Sequence, residues 1–140
     1  MRIGFTGTRE GMTENQKKAL EKLLIEFLGK GASEFHHGDC VGADKEAHEI
    51  ASALGYKVVV HPPRRAILRA FCAGDVILPE RDYLQRNRDV VDSTDILIAA
   101  PKSGTEVLRS GTWSTVRYAR RKGKQIIILE PILNEKILCY

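Results

Sequence analysis

Cysteine is scarce in this 140-residue sequence, and its three copies, Cys40, Cys72 and Cys139, show no CxxC spacing. An odd count without that spacing excludes a disulfide framework and fits a reducing, cytoplasmic setting. No apolar run approaches the roughly 20 residues that a membrane-crossing helix requires. The start runs straight into Arg2-Ile3-Gly4 with neither a basic n-region nor an apolar h-region, so no secretion signal and no membrane partner are expected. Aromatic residues make up only 6%. That is thin material for the long groove of stacking rings with which single-stranded nucleic acid is held. The formal charge of +4 is mild and dispersed, which suits an anionic ligand without implying nucleic acid.

Several motifs are missing as well. There is no GxGxxG dinucleotide fingerprint, no GxxxxGK[ST] triphosphate loop and no GxSxG nucleophile elbow. No internal repeat or low-complexity segment breaks the chain, and its length and 43% hydrophobic content suit one domain, residues 1–140, with a core of its own.

What the sequence does contain is three glycine turns at strand ends. Ile3-Gly4-Phe5-Thr6-Gly7-Thr8-Arg9 opens apolar and breaks into glycine just before a helical pattern. Gly38-Asp39-Cys40-Val41-Gly42-Ala43-Asp44 and Ser110-Gly111-Thr112 repeat the arrangement. A strand that feeds a helix N-terminus through glycine presents free N–H groups and the positive end of the helix dipole, which together attract an anion. One such turn is as readily a plain tight connection; three in a small domain point to a phosphate-bearing ligand. Thr8 and Arg9 add a hydroxyl and a guanidinium, both good phosphate donors.

In chain order, Thr13 to Gln16 reads as a capping box, followed by Leu20, Leu23, Leu24, Phe27 and Leu28 on one helical face. A weak strand from Glu34 to His37 precedes the second turn. A helix over 43–54 and a buried strand over 57–61 follow, closed by Pro62-Pro63. Residues 64–81 carry two weak expectations: a short basic-faced helix through Arg64, Arg65 and Arg69, and a short strand or loop anchor at Val76-Ile77-Leu78. A helix from Asp82 to Val91, a strand over 95–100, a helix from the third turn to Gly123 and a strand over 125–129 complete the pattern, leaving a short tail to Tyr140 that would at most cover an edge. Strands alternating with helices predict an α/β, Rossmann-like doubly wound parallel sheet. The expected order is 3-2-1-4-5, with ligand at the switch point between strands 1 and 4.

The remaining chemistry-bearing residues also have plain readings. His36 and His37, adjacent on a strand, point to opposite faces, so they do not jointly ligate a metal, and no metal or other cofactor is expected. Cys40 has no assignable base and reads as a packing residue. Asp44 complements a helix start. Arg86 and Asn87 lie on the helix before the fourth strand, where a solvated basic face shared with Arg88 is the ordinary reading. Trp113, at a helix start, suits the core or a stacked base.

Taken together, these residues resemble the SLOG superfamily, which includes the LOG phosphoribohydrolases, the DprA core and the small YspA-like proteins, the last being the nearest. The resemblance spans Ile3 to Leu129. Gly38 to Asp44 is similar to the family's G-x-x-x-G-A-D loop, Arg86-Asn87 falls at its arginine position, and Ser110-Gly111-Thr112 stands where LOG proteins carry P-G-G-x-G-T-x-x-E. The glutamate of that motif is Thr115 here. The resemblance therefore implies binding of a nucleotide or nucleotide-derived small molecule, with phosphate held by Gly7, Thr8, Arg9, Gly38, Asp39, Gly42, Ala43, Asp44, Arg86, Asn87, Ser110, Gly111 and Thr112, and no assigned catalytic residue. Two alternatives stand beside it. One is an N-glycosidic hydrolase or transferase, for which Glu10, Asp39, Asp44 and Glu106 are the carboxylates left. The other is DprA-like binding of single-stranded DNA. Relatives often pair through helices, which leaves a homodimer open.

Overall fold

The structure, a computed structural model, describes residues 1–132. The short tail expected beyond that point lies outside the described residues. Six parallel strands form one sheet: β1 (Arg2–Gly7), β2 (Glu34–His37), β3 (Lys57–Val60), β4 (Val76–Ile77), β5 (Ile96–Ala100) and β6 (Gln125–Ile128). Four helices connect them: α1 (Glu14–Gly29), α2 (Ala43–Ala53), α3 (Tyr83–Asp92) and α4 (Gly111–Arg121).

The sheet order is β4-β3-β2-β1-β5-β6. This is the expected α/β, Rossmann-like plan with one more strand. Val76-Ile77, ambiguous in sequence, pairs with Val59-Val60 at the edge and adds the sixth strand. Because only two residues pair there, no two-residue alternation could announce it. The chain leaves β1 outward through β2, β3 and β4 and returns to the other side of β1 as β5, so the switch point lies between β1 and β5.

Alternation along the strands feeds a layer on each face. Ile3, Phe5, Phe35, Val58, Val60, Ile96 and Ile98 pack with Leu20, Leu24 and Phe27 of α1 and with Ala43, Ala47 and Ala51 of α2. The alanines let α2 approach the sheet closely. Leu97 and Ala99 point the other way and join Val91 of α3 with Trp113, Val116 and Ala119 of α4.

The capping box at α1 is present. Thr13 Oγ1 accepts from the Gln16 N–H at 3.2 Å, and Gln16 Oε1 accepts from the Thr13 N–H at 3.1 Å. Gln16 Nε2 also donates to the carbonyls of Pro101 (2.7 Å) and Leu129 (3.1 Å).

Residues 64–81 do not form a basic-faced helix. They give one 3-10 turn, Ala66–Leu68, and then an extended run in which Arg69 bridges to Cys40. Buried Asp39 holds that run, accepting from Arg69 Nε at 3.0 Å and from the Cys72 N–H at 2.9 Å. Of the three arginines, Arg69 is thus tied down by a buried acid, whereas Arg64 and Arg65 are exposed.

Candidate functional site

A cleft of about 620 Å³ opens at the carboxyl ends of β1 and β5. Gly7, Thr8 and Arg9 form one wall, and Ser110 to Ser114 the opposite one. Tyr83 and Leu84 from the start of α3 and Lys102, Ser103 and 107–109 from the loop after β5 complete it. Six of the residues expected from sequence outside the second loop are thus brought together here: Gly7, Thr8, Arg9, Ser110, Gly111 and Thr112.

Each wall has a local cause. The Thr8 N–H donates to the Ala100 carbonyl at 3.0 Å, extending the β1–β5 pairing by one residue, and the Thr8 carbonyl accepts from the Ala43 N–H at 3.0 Å. Its hydroxyl accepts from the Glu10 N–H at 3.2 Å and keeps its own hydrogen for a further bond. Across the cleft, Ser110 caps α4, its Oγ accepting from the Trp113 N–H at 3.3 Å, while the N–H groups of Gly111 and Thr112 have no acceptor within the helix. Arg9, Lys102 and Arg109 face this helix start; the one acidic liner, Glu10, is engaged by Lys102 at 2.8 Å.

The second loop stands behind the first turn and does not line the cleft. Gly42, at φ 90°, would place a Cβ on the backbone of Arg9, so glycine is required by conformation and by space. Asp39, itself at φ 56°, is spent on Arg69 and Cys72. Asp44 Oδ2 accepts from the Cys40 N–H at 3.1 Å, while Oδ1 has no partner among the described residues. Burial pushes the Asp44 carboxyl up to about 6, against the opposing pull of the Arg86 charge.

Arg86 is 2% exposed and lies beneath this loop. Its guanidinium donates to the Gly38 carbonyl and, through Nη2, to Cys40 Sγ at 3.4 Å; its Nε is unpartnered among the described residues. A Cβ on Gly38 would overlap the Arg86 guanidinium. Arg86 does not line the cleft, whereas the Tyr83 ring beside it does, with the Arg86 Cζ 5.2 Å and the Arg9 Cζ 5.3 Å from the ring centroid. Asn87 is half-buried one residue on, away from the cleft lining.

Sequence reasoning missed two histidine clusters. His36 and His37 do face opposite sides of the sheet, but each finds a distant partner. His36 Nδ1 lies 2.8 Å from His61 Nε2, and His36 Nε2 lies 2.9 Å from Glu34 Oε1. His37 Nε2 lies 3.0 Å from His48 Nδ1, with Cys72 Sγ close enough that the three could surround an ion. Protonation opposes that use. The Asp39 N–H donates to His37 Nδ1 at 2.9 Å, so the neutral ring carries its hydrogen on Nε2, toward His48. Burial and a hydrogen bond to Asp39 push the Cys72 thiol up to about 12. The group fits a hydrogen-bonded pair beside a thiol better than a ligand set. Only the α2 spacing of His48 to the sheet could have signalled it, and that needs the fold.

The strand order, the helices on both faces and the cleft at the switch point define a Rossmann-like fold. Solved structures bear this out. The chain is similar to a molybdenum cofactor binding protein from the phototrophic bacterium Rippkaea orientalis, with a TM-score of 0.71 and 24% identity over 98% of this chain and 80% of that one. It is similar to the Moco carrier protein from Chlamydomonas reinhardtii, at a TM-score of 0.67 and 21% identity over 91% of this chain and 74% of that one. The DNA processing protein A (DprA) of Streptococcus pneumoniae matches at a TM-score of 0.68 and 18% identity, over 91% of this chain and 49% of that protein. No protein-family model matches the sequence, and no curated protein matches it. Among the described residues, no helix is long and apolar enough to cross a membrane.

Proposed function

We propose that this protein binds a nucleotide or nucleotide-derived small molecule, or another phosphate-bearing cofactor, in the cleft between the Thr8 turn and the start of α4. The observation that carries this reading is the opposition of unsatisfied N–H groups at Gly111 and Thr112 to Thr8 and Arg9 across one cleft. Donors converging from a helix N-terminus and a basic turn suit a phosphate. Arg86 supplies a reserve of positive charge just behind the cleft wall. Asp44 and the rest of the second loop act as the buttress that fixes the first turn.

Binding without hydrolysis is the favoured form. Of the four carboxylates left to a glycosidic mechanism, Asp39 and Asp44 are buried behind the turn, Glu10 is paired with Lys102, and Glu106 is paired with Arg117 and Arg120. Since two of the similar structures are of proteins named for the molybdenum cofactor, that molecule joins nucleotides as a candidate cargo.

The test is thermal denaturation with inorganic phosphate, AMP, ADP-ribose, NAD and the molybdenum cofactor, followed by calorimetry on whatever shifts the midpoint. A true ligand at 100 times its Kd adds about 2.7 kcal/mol. No shift with any of these anions would overturn the reading.

A further inference from the structure

We infer that Tyr83 stands in the phosphate subsite and must leave it when ligand enters. The inference rests on the binding reading above, and four observations place the residue. Its hydroxyl packs against Gly111, so closely that a Cβ on that glycine would overlap the oxygen. Its ring lies close to two guanidiniums, with the Arg9 Cζ 5.3 Å and the Arg86 Cζ 5.2 Å from the centroid. It lines the cleft, whereas Arg86 does not. Arg86, though 2% exposed, has an unpartnered Nε and no ion pair among the described residues.

Each contact of Tyr83 is one a ligand would make. An oxygen at the first turn of α4 stands where a phosphate oxygen is best stabilised. An aromatic face against a guanidinium stands where a base or pterin-like ring would stack. With two guanidiniums already against its ring, Tyr83 does not act as a stacking platform for a ligand in this position. The phenol imitates the ligand instead.

Moving the ring frees the Arg9 guanidinium, a cleft-wall group, to meet an incoming phosphate. The start of α3 is held loosely enough to permit the motion. Tyr83 is its first residue, and the preceding Asp82 makes no capping hydrogen bond, pairing instead with Arg64 at 2.9 Å on the surface. Tyr83 thereby sets specificity. A neutral small molecule gains nothing at Gly111 or Arg9 to offset displacement of the ring, whereas a phosphate gains at both.

The test uses the full chain, with inorganic phosphate and AMP as probes, read by calorimetry and by the fluorescence of Trp113, the sequence's single tryptophan and a cleft residue. The variants are Tyr83→Phe, which keeps the ring, Tyr83→Ala, and Gln85→Ala as an exposed neighbour on the same helix outside the cleft lining. If the open form is a minor population, apparent affinity rises by the inverse of that fraction when the occupant is removed. Tyr83→Ala is expected to bind both probes roughly three- to tenfold more tightly than the parent, Tyr83→Phe about twofold, and Gln85→Ala unchanged. Binding by Tyr83→Ala where the parent shows none would support the inference equally. A parent that binds, with both Tyr83 variants binding equally or more weakly, overturns the inference and leaves the binding reading intact. Failure of the parent and every variant to bind any anion overturns the binding reading itself. Should Tyr83→Ala not fold, Tyr83→Phe decides alone.

Discussion

Thr115 Oγ1 donates a 2.9 Å hydrogen bond to the Gly111 carbonyl four residues earlier in the same helix. The residue is 3% exposed, and its hydroxyl is committed to the backbone of α4. It stands at the position of the glutamate in the LOG motif, where an acid would have to meet the ribose. A hydroxyl turned back on its own helix offers neither a proton at neutral pH nor a charge for an oxocarbenium-like centre. Incubation with nucleoside 5′-monophosphates is expected to release no free base above the uncatalysed background, as read by chromatography. Multiple turnover would refute the assignment.

Arg86 gives a second expectation, of a different kind from that of an ordinary surface arginine. Removing its side chain orphans the Gly38 carbonyl and leaves a space under the second loop. Arg86→Ala is therefore expected to lower unfolding stability by about 2–4 kcal/mol, measured by urea denaturation. Lysine should restore only part of this, since a single ammonium cannot reproduce the planar fork. Arg88, exposed beside the Tyr118 ring, is the control and should change stability by less than about 0.5 kcal/mol on replacement by alanine. Equal losses at the two positions would contradict the placement of Arg86.

The buried histidines set the acid limit. Burial pulls both His37 and His61 down to about 3 from their ordinary 6.5, with neighbouring imidazoles and Arg86 adding to the effect. The folded state keeps these rings neutral, so their contribution is present above pH 6.5 and is lost as pH falls toward 3. Asp44 works in the opposite sense: raised from 3.8 to about 6, it favours folding below pH 4 and loses that contribution as pH rises through 6. Each group changes stability by about 1.4 kcal/mol per pH unit within its window, and two histidines outweigh one carboxylate. Urea midpoints should decline steadily from pH 6.5 to pH 4.5, and His61→Gln should flatten the decline. A level profile over that range would contradict neutral buried rings.

A fourth expectation concerns the His37, His48 and Cys72 group. With a backbone N–H holding His37 Nδ1 as acceptor, a metal at Nε2 would have to displace that ring's only hydrogen. Purified protein is expected to carry no stoichiometric zinc or iron by elemental analysis, and added Zn²⁺ should not raise the melting temperature. Stoichiometric metal that resists dialysis would overturn the tautomer assignment.

The parts of the fold legible in the sequence were those written in short-range patterns. The Thr13–Gln16 cap, the α1 face and the apolar strands are local signals, and the alternation of strand with helix then dictates parallel pairing. The first turn and Ser110-Gly111-Thr112 were legible as cleft-lining turns because a helix start needs no distant partner to present its N–H groups. What escaped was long-range. Nothing around Asp39 says that it will fasten Arg69 and Cys72, thirty or so residues away. Nothing around His36 names His61. Tyr83 escaped as well, because its part depends on a glycine 28 positions further along the chain, a relation that no periodicity encodes.

Gln16 divides its side chain between two separations in the chain. Its carbonyl oxygen serves Thr13, three residues away, whereas its amide nitrogen serves Pro101 and Leu129, 85 and 113 residues away. The first bond forms with the helix itself; the others wait until β5 and β6 have docked and the long loops have closed. Contacts completed on the native side of the folding barrier govern how slowly a protein comes apart rather than how quickly it assembles. One amide thus helps start α1 at the beginning of folding and afterwards latches the finished sheet, so that the lifetime of the native state is set in part by a residue whose sequence signature speaks only of a helix cap.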